Sequence, residues 1–309
     1  MRPNNWMGAA LGLGTSVDAL AALAAYARIH TEGIPAEPTV HALLTEIATE
    51  ILGGPADDPG SIGPSVIGFA QTWLSQADEL VKNPGRQGGW EQVDVPLLQS
   101  IGRGSMSIAG AIRAAEDALG SLGATLAAPG ATFLDVGTGT AWLAIAMARS
   151  HPGLRVVGID IFEPALDLAR ANIASVSMGD RVELRRDDVT TLPATAEYDA
   201  IWLPMPFLPA DIVPRAMAAA FGALRPGGWV LAGTFAGTDD RLSRLLTDLR
   251  TVRCGGYPWQ SDELVNEIAA AGFLETAHVL RSWSAPVQLH VGRRPVAPFQ
   301  AAREPATST

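Results

Sequence analysis

The chain has 309 residues, 48% of them hydrophobic and 17% charged, with a formal net charge of −10. That composition suits a soluble globular protein with one large α/β domain and an appendage, and its acidic balance speaks against nucleic acid as a partner. Cys254 is the single cysteine, which excludes a disulfide framework or a cysteine metal site and fits a cytoplasmic location.

The N-terminal stretch 6–27 is mostly apolar and follows Arg2, as in a signal peptide. Asp18 stands at its centre, where a charge costs about 2.5–3.5 kcal/mol on membrane insertion. Gly8, Gly12 and Gly14 also interrupt it. The expectation is therefore a buried helix of a helical cap, with no membrane contact. Helical periodicity starts after Thr15 and Ser16 and runs toward His30, and a second helix covers 38–52. "GGPADDPGSIGP" reads as a loop before a helix over 66–81. "KNPGRQGGWEQVD" is a further loop, and the segment after it ends in a helix leading to Gly130.

From Ala131 the pattern alternates. Strands are expected at 132–136, 154–159, 181–185 and 198–203, and in "RPGGWVLAGTF". Helices are expected at 141–150, 164–175, 211–224, 239–250 and 262–271, with an antiparallel pair at 273–281 and 287–292 closing the sheet. This is the pattern of a doubly wound, mostly parallel α/β sheet. The expected division is a cap over 1–105, a nucleotide-binding domain over 106–294 and a flexible tail over 295–309.

"FLDVGTGTAW" at 133–142 is a strand, an acid, a glycine turn and a helix start. Ligands of open α/β sheets sit outside the carboxyl ends of the strands. A dinucleotide fingerprint would place a third glycine where Trp142 stands, and a phosphate loop would need G-K-[ST]. The Asp135 carboxylate, read as pointing into the turn, would repel pyrophosphate and suit a cation. Asp160 ends the next strand, about 20 residues past Gly139, where an acid can accept both ribose hydroxyls. Asp187 and Asp188 end the third strand, where a carboxylate can take an adenine amine. A nucleoside with a positive charge and no phosphate fits these acids, and S-adenosylmethionine is such a molecule.

The motifs "FLDVGTGTAWLAIAMA", "VVGIDIFEPALDLARAN", "RVELRRDDVTTLP", "YDAIWLPMPFLP" and "ALRPGGWVLAG" follow in order over about 132–294. In them the chain resembles the class I S-adenosylmethionine-dependent methyltransferases, small-molecule type with an N-terminal helical cap. The resemblance implies a Rossmann-like sheet and S-adenosylmethionine as cofactor. It puts Asp135, Gly137, Thr138 and Gly139 at the methionine and ribose, and Asp160 with Ile161 at the ribose. Asp188 and Val189 would meet the adenine, with Leu203 near the sulfonium. Ser105, in "GRGS", resembles a segment that folds over the cofactor. Relatives that methylate amide or amino nitrogens often carry [DN]-P-P-[YF] after the fourth strand. This chain has "WLPMPFLP" there, so Trp202, Met205 and Phe207 are expected to shape an apolar acceptor pocket.

No catalytic residue is assigned. His30 and His41 are the cap groups that could act as a base, and Trp6, Trp73 and Trp90 could line the pocket. Asp239 and Asp240 suit helix capping better than Mg²⁺ binding. The histidines lack metal-ligand spacing, so no metal is expected. The expected reaction is methyl transfer to a hydrophobic small-molecule acceptor of specialised metabolism, with oxygen favoured, by alignment rather than base catalysis. A nicotinamide-dependent reductase and a non-catalytic cofactor-binding protein are the alternatives. The resemblance also leaves room for a homodimer through the cap.

Overall fold

The computed structural model describes residues 6–55, 59–90, 94–238 and 240–296. The helical part comprises α1 (Trp6–Glu32), α2 (Pro38–Leu52), α3 (Pro59–Lys82), α4 (Val95–Ala118) and α5 (Gly120–Leu126). Then come β1 (Thr132–Val136), α6 (Trp142–Ser150), β2 (Arg155–Ile159), α7 (Glu163–Ser175), β3 (Val182–Arg185) and β4 (Tyr198–Pro204). The chain continues through α8 (Val213–Ala223), β5 (Leu224–Phe235), α9 (Arg241–Arg253), α10 (Ser261–Ala270), β6 (Leu274–Val279) and β7 (Val287–Arg293). Short 3₁₀ turns stand at Val189–Thr191 and Met205–Phe207.

The strands form one seven-stranded sheet in the order β3-β2-β1-β4-β5-β7-β6. β1 to β5 run parallel, and β7 lies antiparallel between β5 and β6. The chain reverses direction across the sheet between β1 and β4, which opens a crevice at their carboxyl ends. Strand side chains alternate between two cores. Phe133, Ala200, Trp202, Trp229 and Leu231 face one core, which α4, α5 and α6 cover. Leu134, Val136, Ile201, Leu203 and Val230 face the other, with Val213 and Met217 of α8 and Leu264 and Ile268 of α10.

Every expected strand and helix is present, but three helices begin earlier. α1 starts at Trp6, because a run of Ala, Leu and Met outweighs scattered glycines. α3 starts at Pro59 and carries Pro64 inside it, where a loop was expected. α4 starts at Val95, with Asp94 accepting the Leu97 amide at 2.9 Å and Pro96 in the first turn. Residue 105, the expected end of the cap, lies inside this helix. The expected burial of α1 is also corrected. Ala27 is its one buried residue, and Trp6, Met7, Leu11, Leu13 and Val17 are exposed. α1 is the one described helix long and apolar enough to cross a membrane.

"GRGS" lies in the interior of α4, and its Gly102 serves contact. A Cβ on Gly102 would run into Thr140 Oγ1 and come within 2.9 Å of the Trp142 ring. α4 thus lies directly against the turn between β1 and α6. The Trp142 indole donates to Gln99 Oε1 of α4 at 2.9 Å, and Asn172 of α7 bonds both Gln99 and the Thr140 carbonyl. This network fills the place where a third glycine would allow close helix–strand packing.

Gly102→Ala should destabilise the chain by about 1–3 kcal/mol through overpacking. Gly110→Ala, on the same helix with open space at its Cβ, should stabilise it by about 0.5–1 kcal/mol. Urea unfolding of both variants checks this, and equal effects would contradict the close approach.

Candidate cofactor and acceptor site

The crevice is built on the turn after β1. Gly137 and Gly139 have φ of 62° and 54°, a left-handed region that glycine enters without strain. Gly137 is exposed, and a Cβ there would press on Pro204 at 3.2 Å, so this backbone is pinched against the tip of β4. The Thr138 amide donates to the Ile159 carbonyl at 2.9 Å, which ties the turn to the end of β2.

Asp160 completes that tie. Its Oδ2 accepts the Gly139 amide at 2.8 Å and its Oδ1 accepts the Phe162 amide at 2.9 Å. Burial raises its pKa, opposed by the Phe162 and Gly139 amides. Each carboxylate oxygen keeps a further lone pair toward the half-open crevice, so a diol can be added without breaking the turn. Ile161, beside it, is 67% exposed, an apolar surface at the β2 tip where a flat ring can rest.

Asp135 differs from the sequence expectation. It is 1% exposed, lies on the α4–α6 face of the sheet, and stands in register with Trp202. Its carboxylate accepts the Thr138 hydroxyl at 2.7 Å instead of reaching into the open crevice. Burial pushes the Asp135 carboxyl up to about 7; the Thr138 bond opposes this and the nearby Asp160 charge adds to it. The Thr138 side chain is buried too, so its backbone is the part left at the crevice. At the third strand tip, Asp188 is exposed and caps its own 3₁₀ turn through the Thr190 amide at 2.8 Å, with Val189 buried beneath. Ser105 is half-buried and donates to the Gly102 carbonyl at 2.6 Å within α4.

Beyond β4 the slot is apolar, as the sequence implies, but its members divide. Leu203 and Met205 are fully buried in the core. Trp202 is 4% exposed and lies across Gly233 of β5, so it is a core residue rather than a pocket wall. Phe207 alone of the three expected wall residues is half-buried at the junction of cap and sheet. It meets Trp90 edge-on at 4.9 Å and Phe235 at 6.2 Å. Trp73 of α3 stacks on Phe69 at 5.7 Å, and the Arg250 guanidinium lies between Trp73 and Phe235. A cavity of about 310 Å³ opens beside this cluster, lined by Phe235, Pro206, Thr234, Tyr257 and Trp259 among others. Phe235 and Arg250 carried no sequence signal, since their partners come from the helical region far away in the chain.

The remaining candidates stand elsewhere. His30 and His41 are exposed, 5.5 Å apart on α1 and α2, and Trp6 is 83% exposed. His151 follows α6 and pairs with buried Glu116 at 2.9 Å, and His290 lies in β7. Asp240 caps α9 by accepting the Ser243 amide at 2.9 Å; Asp239 lies outside the described residues. Among the described residues no group of three or more His, Cys, Asp or Glu is placed to hold a metal ion.

A glycine turn held by an acid at the β2 tip, at the switch point of a 3-2-1-4-5-7-6 sheet, defines a Rossmann-like methyltransferase fold. Residues 133–228 match the family model described as "Methyltransferase domain". The chain accordingly carries an S-adenosylmethionine-dependent methyltransferase domain, preceded by an N-terminal helical region. It is 30% identical over 156 residues to the release factor glutamine methyltransferase of Gloeobacter violaceus, covering 40% of this chain and 54% of that one. With its counterpart from Rhodopirellula baltica it shares 33% over 121 residues, 39% of this chain and 40% of that one. The chain thus spans about half the length of these curated relatives. Whole-chain likeness is to solved folds. An O-methyltransferase family protein from Burkholderia thailandensis superposes with a TM-score of 0.62 at 18% identity, over 96% of this chain and 100% of that one. Human N-acetylserotonin methyltransferase does so with a TM-score of 0.60 at 13% identity, over 95% and 99%.

A carboxyl raised in the folded state costs stability once the unfolded chain ionises. For Asp135 that cost grows from roughly pH 4 and levels off above its folded value of about 7. Wild type should therefore lose up to about 4 kcal/mol relative to Asp135→Asn between roughly pH 4 and pH 8. Asparagine still accepts from Thr138, so urea unfolding of both proteins isolates the charge. A difference independent of pH would contradict a buried ionisable carboxyl.

Proposed function

We propose that the protein transfers the methyl group of S-adenosylmethionine to an oxygen of a small, apolar, aromatic acceptor. The observation that carries this reading is the aromatic cluster of Phe207, Trp90, Phe235 and Trp73 beside the apolar β4 tip. It offers flat surfaces for a ring, and the β4 tip itself presents no amide or acid to grip a nitrogen, although Asp248, Gln260 and Gln288 line the adjoining cavity. The adjoining cavity of about 310 Å³ suits a small molecule. Likeness to folds described as O-methyltransferases agrees with it. The curated relatives act on release factor glutamine, as their names say, but their resemblance covers part of the chain and the β4 slot departs from the nitrogen pattern.

In this reading the Gly137–Gly139 backbone and the Asp160 carboxylate hold the cofactor's ribose and methionine portion. Ile161 and Val189 border the adenine, with Asp188 at its edge. The cofactor supplies a methyl already activated on sulfonium. The acceptor oxygen forms its bond to the methyl carbon as the carbon–sulfur bond breaks, and sulfur keeps the electron pair. The aromatic cluster contains no His, Asp or Glu, and among the described residues Asp248 is the one acid lining the adjoining cavity. The contribution proposed for the protein is alignment and exclusion of water, with alignment worth up to roughly 7–11 kcal/mol in favourable cases. An acceptor that is ionised at neutral pH needs no base. The exposed apolar side chains of α1 support a homodimer through the cap as part of this proposal.

Two measurements test it. Asp160→Ala should weaken S-adenosylmethionine binding by about 1.5–3 kcal/mol, read by calorimetry; unchanged affinity, or tighter binding of NADH than of S-adenosylmethionine, would remove the cofactor assignment. Phe207→Ala should slow turnover at least tenfold while cofactor affinity stays within about twofold, a change confined to alignment. Equal turnover would take Phe207 out of the acceptor pocket.

A further inference from the structure

Among the described residues, Arg250 is a cation without a paired carboxylate. It projects from α9 into the junction of cap and sheet, half-buried, with its guanidinium carbon 5.3 Å from the Trp73 ring centre and 5.7 Å from that of Phe235. Among the described residues no carboxylate pairs with it and no hydrogen-bond acceptor holds it. Its neighbour on α9, Arg253, shows the contrast: it is bound to Glu79 of α3 and to the Asn83 carbonyl. The group closest to Arg250 in charge terms is Cys254, whose thiol burial pushes up to about 11, so it is neutral at physiological pH. Burial also lowers the Arg250 pKa, opposed by the Cys254 thiol and by no carboxylate among the described residues.

A guanidinium taken partly out of water without a carboxylate is costly. The two aromatic faces recover some of that through cation–π contact, about 0.5–2 kcal/mol each, but they leave the planar N–H fork unfilled. Such a fork matches a carboxylate or a similar oxyanion, which it can grip with two parallel hydrogen bonds. The rings of Trp73, Phe235 and Phe207 beside it suit a flat conjugated body. This cluster adjoins the cavity proposed above for the acceptor through Phe235, which belongs to both.

We propose that Arg250 determines acceptor specificity by gripping the anionic group of a planar aromatic acid, whose second, already ionised oxygen is thereby turned toward the methyl donor, so that no proton has to be removed. The inference rests on the methyl-transfer reading for the position of the acceptor, and it extends that reading from an apolar acceptor to an anionic one. It also explains why the cation is not quenched from within the protein: an internal carboxylate would compete with the ligand.

The test compares two probes that differ by the acid group, 3-hydroxy-2-naphthoate and 2-naphthol, titrated calorimetrically into the full chain saturated with S-adenosylhomocysteine. Wild type should bind the naphthoate at least tenfold more tightly than the naphthol. Arg250→Gln should bring the two within about twofold, and Arg250→Lys, which keeps the charge, should retain part of the preference. Cofactor affinity should be unchanged in both variants. Equal affinity of the two probes for wild type would overturn the proposal even if the glutamine variant does not fold, and so would a preference that survives Arg250→Gln. A separate titration with S-adenosylmethionine keeps the two readings apart. If that ligand does not bind while the naphthoate preference, measured then without S-adenosylhomocysteine, persists and vanishes in Arg250→Gln, methyl transfer fails and the anion grip stands.

Discussion

The site depends on one carboxylate that closes the loop after β1 onto the tip of β2. Asp160 accepts the Gly139 amide with one oxygen and the Phe162 amide with the other. These are charge-assisted bonds, stronger than neutral ones, in a partly buried place. They fix the left-handed backbone of Gly137 and Gly139 in the one position where it can pass close to a ligand. Without that acid the turn would keep only the Thr138–Ile159 bond to the second strand tip and would be freer to relax at Gly139.

The same turn is braced from the opposite side by the helical region. α4 touches Thr140 and Trp142 at Gly102 and bonds the Trp142 indole through Gln99. The helical region is therefore joined to the glycine turn through α4, and through Trp73 and Trp90 to Arg250 and Phe207. The aromatic junction and the glycine turn are both braced by the helical region, which suits the proposed reaction, with two substrates held at a fixed distance.

Much of this was legible in the chain. The alternation of strands and helices after Ala131, the antiparallel closing pair and the acids at successive strand tips follow from local periodicity and turn chemistry, which depend on neighbours in sequence. The errors came where tertiary contact overrides those cues. "GRGS" resembles a segment that folds over the cofactor, yet it lies inside α4, with Gly102 packed against the turn. Asp135 reads as a ligand-facing acid, but strand register puts it beside Trp202 inside the sheet. Trp202 reads as a pocket wall, and Gly233 makes room for it in the core. Arg250 gave no signal, because its environment is assembled from α3, β5 and α9, whose adjacency no local pattern encodes.

The central claim is that this domain methylates oxygen on a small aromatic molecule. Its most direct test is to supply S-adenosylmethionine labelled in the methyl group together with a mixture of hydroxylated aromatic acids, a glutamine-containing peptide and an RNA, and to find the label. The account predicts label in an aromatic methyl ether or ester and none in the peptide or the RNA. Label in the peptide or the RNA instead, or no transfer to any acceptor by a chain that binds the cofactor, would contradict it.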